Sequence, residues 1–201
     1  MLHKEYLEAK KVLDNSGVIA FPTETVMGLG VFYDNYKAYT FLNSVKRRPE
    51  EKPYTLMLSN PSEISKYAYI DERARKVIDT FMPGEITILL KSKDSVPGYV
   101  THNTGVIGVR VPNLPELLDF LSFIKKPLLV PSANRSGEPP LKNSDEVEKE
   151  FSKDEVGFVF KGQATGGVPS TLVDLTGKEV KIYREGNIKL SDILNILNKE
   201  N

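Results

Sequence analysis

The chain has 201 residues, about the size of one α/β domain. Its 27 lysines and arginines balance 27 aspartates and glutamates, so a formal net charge of +0 gives no general attraction to nucleic acid or another polyanion. The absence of cysteine excludes disulfides, thiolate nucleophiles and cysteine-bound metals. No apolar run approaches the roughly 18 residues of a membrane span, and the charged start lacks a secretory apolar core. We therefore expect a cytoplasmic protein with one domain over residues 1–201.

Helix and strand patterns alternate early in the chain and hairpins appear late, which predicts a single α/β domain with a twisted mixed sheet and flanking helices. In chain order, the predicted elements are a helix over 4–15, a strand over 18–21, a helix over 36–45 capped by Asn35, a strand over 54–58, two short helices capped by Ser62 and Asp71, a strand over 85–91, a surface loop over 92–105, a strand over 106–111, a helix over 114–124, a strand over 127–131, a helix over 144–151, strands over 156–160, 170–174 and 179–184, and a helix from 191.

The end of the first predicted strand carries the strongest local pattern. Pro22 ends the apolar run 18–21 because proline removes a backbone donor. Hydroxyl and carboxyl groups follow over 23–25, and Gly28 and Gly30 then predict a loop that turns tightly or lets a ligand approach the backbone. Polar groups at a strand end favour a binding site in an α/β fold. An ordinary strand-to-helix connection is the alternative.

Several familiar site types are absent from the sequence. It contains no Gly-x-x-x-x-Gly-Lys-Ser/Thr phosphate loop, and the pair Gly28 and Gly30 lacks the third glycine of a dinucleotide fingerprint. With only His3 and His102 available, a histidine-based triad or a histidine metal site is disfavoured.

Cations and hydroxyls recur where predicted strands end, and such a set suits a ligand with several anionic groups, such as a nucleoside triphosphate. Arg110 stands out because a charge that ends a buried apolar strand needs a partner, for which a functional anion is a candidate. The alternatives are a solvated basic turn for the cations near residue 50 and a salt bridge from Arg184 to Glu179 or Glu185. The full set is Lys46, Arg48, Lys52, Arg110, Ser132, Asn134, Ser136, Ser170, Thr171 and Arg184.

Seven short motifs, in one order over nearly the whole chain, resemble the YrdC/YciO-like family, the threonylcarbamoyl-AMP synthases. They are PTETVMGLG (22–30), KRRPEEKP (46–53), PGEIT (83–87), GVRVP (108–112), PSANRSG (131–137), STLVD (170–174) and REG (184–186).

This resemblance implies an α/β fold with a large concave cavity and a nucleotidyltransferase reaction. L-threonine, bicarbonate and ATP would give threonylcarbamoyl-AMP and pyrophosphate, and a partner transferase would pass the threonylcarbamoyl group to the tRNA adenosine beside the anticodon. It implies Mg²⁺ bound with the ATP and no metal held by protein side chains. Threonine would be held by Thr23, Arg110 and Ser170. ATP would be held by Lys46, Arg48, Lys52, Ser132, Asn134 and Arg184, of which Lys46 and Arg48 would be catalytic.

Four sites depart from the family pattern and leave other functions open. Met27 replaces a usual tyrosine, Val106 a threonine, Asn113-Leu114 an acidic residue and a histidine, and Lys161 an aspartate. A thioether cannot make the hydrogen bond of a tyrosine, so a divergent YciO-like paralogue is one alternative. The others are a binder of tRNA or double-stranded RNA and a nucleotide-binding regulator without the chemistry.

Overall fold

The structure, a computed structural model, describes residues 2–47 and 53–198. The predicted site residues Arg48 and Lys52 therefore lie outside the described residues. The helices are α1 (Leu2–Asp14), α2 (Tyr36–Lys46), α3 (Glu72–Phe81), α4 (Gly98–Thr101), α5 (Pro115–Ile124), α6 (Ser144–Glu150) and α7 (Leu190–Leu197), with a 3₁₀ helix over Pro61–Lys66. The strands are β1 (Ile19–Phe21), β2 (Gly28–Phe32), β3 (Thr55–Met57), β4 (Ile86–Lys91), β5 (Val106–Arg110), β6 (Leu128–Val130), β7 (Phe158–Val159), β8 (Thr171–Asp174) and β9 (Lys181–Arg184).

The strands of the described residues form one sheet of nine in the order β7-β1-β2-β6-β3-β5-β4-β8-β9. The pairs β1–β7, β3–β5 and β4–β8 are parallel, and the other five are antiparallel. This arrangement confirms the predicted mixed α/β sheet with flanking helices. Because β5 lies between β3 and β4, the end of β5 lies in the middle of the sheet.

The inner strands of the sheet are buried on both faces, which explains why they read as apolar runs, whereas the edge strand β9 is largely exposed. Along the first strand, Val18 and Ala20 belong to one apolar cluster, whereas Ile19 and Phe21 belong to a second cluster that includes Phe120 of α5. Successive side chains of a strand point to opposite faces, so the two clusters cover the two faces of the sheet.

The prediction of a loop at Gly28 and Gly30 is wrong, because both glycines lie in β2. This strand pairs antiparallel with β1 and places Gly28 opposite Phe21. A Cβ atom on Gly30 would lie 2.7 Å from Cε1 of Phe21, and one on Gly28 would lie 3.1 Å from Cε2 of the same ring. The glycines therefore make room for an aromatic side chain of the neighbouring strand, and not for a turn.

Two of the three predicted helix caps are confirmed. Asn35 and Asp71 cap α2 and α3 by accepting from the backbone amides of Ala38 and Ala74, as predicted. Ser62 is not the cap of the next segment: Asn60 accepts from the Ser62 amide, and a 3₁₀ helix follows. The predicted surface loop over 92–105 contains the short helix α4.

Arg135 joins α2 to the end of α6. Its guanidinium donates to the carboxylates of Glu150 and Glu155 at 2.9 and 2.7 Å and to the carbonyl of Val45. It also lies over the ring of Phe151 at 4.4 Å. Hydrogen bonding to Arg135 lowers the pKa of Glu155 to about 2. These contacts attach the C-terminal end of α2, which includes Lys46, to the end of α6.

Gly30→Ala should destabilise the protein because the added methyl group would overlap the ring of Phe21 and approach Leu128 at 3.1 Å. We expect a loss of about 1–3 kcal/mol in the free energy of unfolding, measured with chemical denaturant. Gly177→Ala is the matched control, since a Cβ atom there meets nothing within 4 Å. Equal losses for the two variants would contradict this account of the β1–β2 contact.

Glu155→Gln should lower stability at neutral pH and not in acid. The folded-state pKa of Glu155 lies below its ordinary value of 4.5, so its stabilising contribution is present above pH 4.5 and disappears as the pH falls to about 2. We expect a difference of about 1–2 kcal/mol from the unchanged protein near neutral pH, shrinking through that range. Glu8→Gln, which removes only an exposed ion pair with Lys4, is the control. A difference independent of pH would be inconsistent with the ionic contact.

Candidate functional site

A cavity of about 270 Å³ lies over the central strands. Its floor is a row of side chains that runs across neighbouring strands at matched positions. Met57 is the partner of Arg110 in the β3–β5 ladder, and Leu172 is the partner of both Thr87 and Arg184 in the ladders of β8. All five side chains line the cavity. The row therefore places two cations and a hydroxyl on one apolar floor.

Arg110 is the buried cation of this floor, with 6% of its surface exposed. Its Nη2 atom donates to Oε1 of Glu24 at 2.9 Å and to the hydroxyl of Thr25 at 3.0 Å. The same carboxylate oxygen accepts from the backbone amide of Asn113 at 2.9 Å. Within the described residues, Arg110 Nε and Glu24 Oε2 are buried without a hydrogen-bond partner. Arg110 thus has a protein partner for its charge, and its buried Nε donor has no partner within the described residues.

Thr23 holds the turn that follows β1. Its hydroxyl donates to the carbonyl of Val26 at 2.7 Å and accepts from the amides of Thr25 and Val26 at 3.1 and 3.2 Å. It lies 2.9 Å from the hydroxyl of Thr25, which in turn contacts Arg110. Thr23 lines the cavity, but its hydroxyl is engaged within its own turn.

Arg184 is the second cation. The residue lies on the exposed edge strand, but its guanidinium turns inward, where Nε donates to the carbonyl of Ser170 at 2.8 Å and Nη2 to its hydroxyl at 3.2 Å. Burial of the guanidinium, and secondarily the positive charge of Arg110, lower the pKa of Arg184. Neither Glu179 nor Glu185 pairs with it, and Glu185 contacts Lys189 at 3.3 Å. The two converging positive charges favour an anionic ligand.

Lys46 lies behind the cavity wall with 1% of its surface exposed. Its ammonium donates to the carbonyls of Ser132 and Asn134 at 2.6 and 2.7 Å. The Asn134 side chain accepts from the Ser132 hydroxyl at 2.6 Å and donates to the carbonyls of Arg135 and Glu138. Lys46 therefore fixes the segment that presents Ser132 to the cavity.

The structure brings most of the predicted site residues together. The cavity is lined by Thr23, Arg110, Ser132, Ser170 and Arg184. Lys46 and Asn134 adjoin it through Ser132. The ligand roles of all these residues remain predictions.

Three further features of the site were not predicted from the sequence. Thr25 and Thr87 line the cavity, and Glu24 pairs with Arg110. Thr87 ends the PGEIT motif but received no role, because the order of the strands decides which residues face the cavity. Thr25 and Glu24 belonged to the recognised polar cluster but lacked an assigned partner.

The residues that depart from the family pattern are spread over the molecule. Met27 is fully buried and lines the cavity. Asn113 contributes its backbone amide to Glu24, whereas Lys161 is exposed and pairs with Glu148 at 2.7 Å. Met27 therefore departs from the pattern inside the cavity itself, where a change of side chain bears on ligand fit.

The described residues contain no cluster of three or more histidine, aspartate or glutamate side chains that could hold a metal ion. Among the same residues, the structure has no helix that is both long and apolar enough to cross a membrane.

The Sua5/YciO/YrdC family model, described as "Telomere recombination", matches residues 11–186. A threonylcarbamoyl-AMP synthase of Enterobacter sp. (strain 638) is 35% identical over 185 residues, which cover 89% of this chain and 94% of that protein.

Two solved structures resemble the whole fold. Sua5 of Pyrococcus abyssi complexed with L-threonine superposes with a TM-score of 0.91 at 28% identity, covering 98% of this chain. This chain spans only 58% of that one. YciO of E. coli superposes with a TM-score of 0.84 at 25% identity, covering 96% of this chain and 94% of that one.

Proposed function

Because the chain belongs to the Sua5/YciO/YrdC family, we propose that it is an L-threonylcarbamoyladenylate synthase. It joins L-threonine, bicarbonate and ATP into threonylcarbamoyl-AMP and releases pyrophosphate, which makes it a nucleotidyltransferase. The product serves the modification of the tRNA adenosine beside the anticodon, through a separate transferase. The observation that carries this proposal is the pair of guanidiniums, Arg110 and Arg184, that converge on one cavity lined with hydroxyl groups.

The proposed reaction needs no nucleophile from the protein. The amine of threonine and bicarbonate form a carbamate with loss of water, and the new carboxylate attacks the α-phosphorus of ATP. The bond from that phosphorus to the bridging oxygen breaks, and pyrophosphate leaves with the electron pair. Every group that forms or breaks a bond belongs to a substrate. The protein contributes by positioning the substrates and by stabilising negative charge, and fixed cations and hydroxyl donors suit this role.

The family motifs assign the two substrates to different side chains of the cavity. Arg110 holds the threonine carboxylate, with Ser170 and Thr23 beside the amino acid. Arg184 and Ser132 contact the nucleotide, and Lys46 and Asn134 support that side. Arg48 and Lys52 are assigned to the ATP site only because they lie in the KRRPEEKP motif. ATP is used as its Mg²⁺ complex, because triphosphates bind this ion through their own oxygens.

Pyrophosphate release is the direct test. We expect release from ATP only when L-threonine and bicarbonate are both present, with threonylcarbamoyl-AMP identified by mass spectrometry. Each co-substrate is withheld in turn as a control, and L-valine replaces L-threonine to test the need for its hydroxyl. ATP binding without any adduct would contradict the proposal and favour a YciO-like paralogue or a nucleotide-binding regulator. Salt-dependent binding of tRNA without turnover would favour the RNA-binding alternative.

Arg110→Ala should weaken threonine binding more than ATP binding, and Arg184→Ala should do the reverse. Loss of a charge-assisted hydrogen bond corresponds to about 10–100-fold in the affected dissociation constant, measured by calorimetry with each substrate alone. Arg75→Ala, at an exposed position of α3, is the control for loss of an arginine.

Arg110→Lys complements this pair of variants, because it keeps the charge opposite Glu24 while losing the planar fork of the guanidinium. It separates a lost threonine contact from the instability of an unpaired buried carboxylate. Equal losses of both substrates in both alanine variants would refute the assignment of the two arginines.

A further inference from the structure

The hydroxyl protons around the two guanidiniums can be assigned by their partners. Thr23 has one proton, and it goes to the carbonyl of Val26 at 2.7 Å, because a carbonyl only accepts. Thr23 therefore cannot donate to Thr25 across the 2.9 Å contact between their hydroxyls, and the Thr23 oxygen already accepts from the amides of Thr25 and Val26. The oxygen of Thr25 also accepts from Arg110. Thr23 thus uses its only hydroxyl proton inside the protein and has none left for a ligand.

The second hydroxyl pair is different. Thr87 and Ser170 lie 3.0 Å apart, and the oxygen of Ser170 also accepts from Arg184 at 3.2 Å. Within the described residues, these are the hydroxyl hydrogen bonds that the two side chains make. The two hydroxyls carry two protons, and the hydrogen bond between them uses one. The other proton has no acceptor in the protein. This pair therefore holds a hydroxyl proton that can be donated to a ligand beside Arg184.

We propose that Thr87 is a positioning residue that donates its proton to Ser170 and so directs the proton of Ser170 into the cavity. With Thr87 and Arg184 both donating to it, the Ser170 oxygen has its two acceptor sites filled, and its own proton can only be donated to another group. That group is an acceptor oxygen of the bound amino acid. The inference rests on the proposed function, in which Ser170 contacts threonine, and adds Thr87 as the residue that sets its direction.

The sheet holds Thr87 in the required place. Thr87 is 2% exposed and pairs with Leu172 in the parallel β4–β8 ladder, so its position relative to the start of β8 is fixed. Ser170 directly precedes β8, and its carbonyl accepts from Arg184 at 2.8 Å. A β-branched side chain has few rotamers, which favours a single direction for the hydroxyl of Thr87. Arg184 and Thr87 thus hold Ser170 from two neighbouring strands.

The test compares Thr87→Val with Thr87→Ser. Valine keeps the shape and removes the hydroxyl, so we expect the KM for threonine to rise about 5–10-fold while the KM for ATP stays within about twofold. Serine restores the hydroxyl and should bring the KM for threonine back to within about threefold of the unchanged protein. Thr40→Val, on the exposed face of α2, is the control for the same substitution elsewhere. Melting temperatures establish that each variant is folded.

A double-mutant cycle with Ser170→Ala tests whether Thr87 acts through Ser170. In the Ser170→Ala background, Thr87→Val should change the KM for threonine by less than about twofold, because its acceptor is gone. An undiminished effect in that background would show that Thr87 acts on the ligand independently. An unchanged KM in Thr87→Val alone, or no rescue by serine, would also overturn the inference.

Failure of the inference is distinguishable from failure of the proposed function. If the wild-type protein makes threonylcarbamoyl-AMP and the Thr87→Val variant has the same KM for threonine, only the role of Thr87 is contradicted. If the wild-type protein neither binds L-threonine in calorimetry nor releases pyrophosphate, the proposed function is contradicted, and the role of Thr87 with it.

Discussion

The ion pair between Arg110 and Glu24 is the contact on which the site depends. Arg110 ends a strand at the centre of the sheet, and the guanidinium is buried there. Leaving one partner of a buried ion pair alone costs about 3–5 kcal/mol, so the chain must bring a carboxylate to this point. Glu24 does so from the turn after β1, and the same oxygen holds the amide of Asn113. One carboxylate thus ties the turn after β1 to the chain that leaves β5.

The turn that carries Glu24 is itself held from several sides. The Gly167 amide donates to the carbonyl of Thr25 at 2.7 Å, and a Cβ atom on Gly166 would lie 2.5 Å from the carbonyl of Glu24. Thr23 closes the turn from within by its bond to Val26. Because both neighbours pack this tightly, Arg110 is presented to the cavity in a fixed orientation before any ligand binds. Preorganisation of this kind lowers the cost of binding and of reaction.

Much of this arrangement could be predicted from the sequence, and the rest depends on strand order. Arg110 was expected to need a partner because a charge followed apolar residues, but its partner is 86 positions earlier and no local pattern links the two. Gly28 and Gly30 looked like loop residues because the ring of Phe21 that they accommodate belongs to the neighbouring strand. Thr87 lay in a recognised motif but had no assigned role, since only the pairing of β4 with β8 brings it to Ser170.

The two guanidiniums explain how such a site can act without a protein nucleophile. Glu24 neutralises part of the positive charge of Arg110, whereas within the described residues no carboxylate pairs with Arg184. Burial and the charge of Arg110 lower the pKa of Arg184, which means that its positive charge is held in an unfavourable place. An anion that enters the cavity relieves this repulsion, and one that gains negative charge during reaction relieves it further. In the proposed reaction, negative charge shifts onto the leaving pyrophosphate, and a fixed cation beside that group stabilises the transition state.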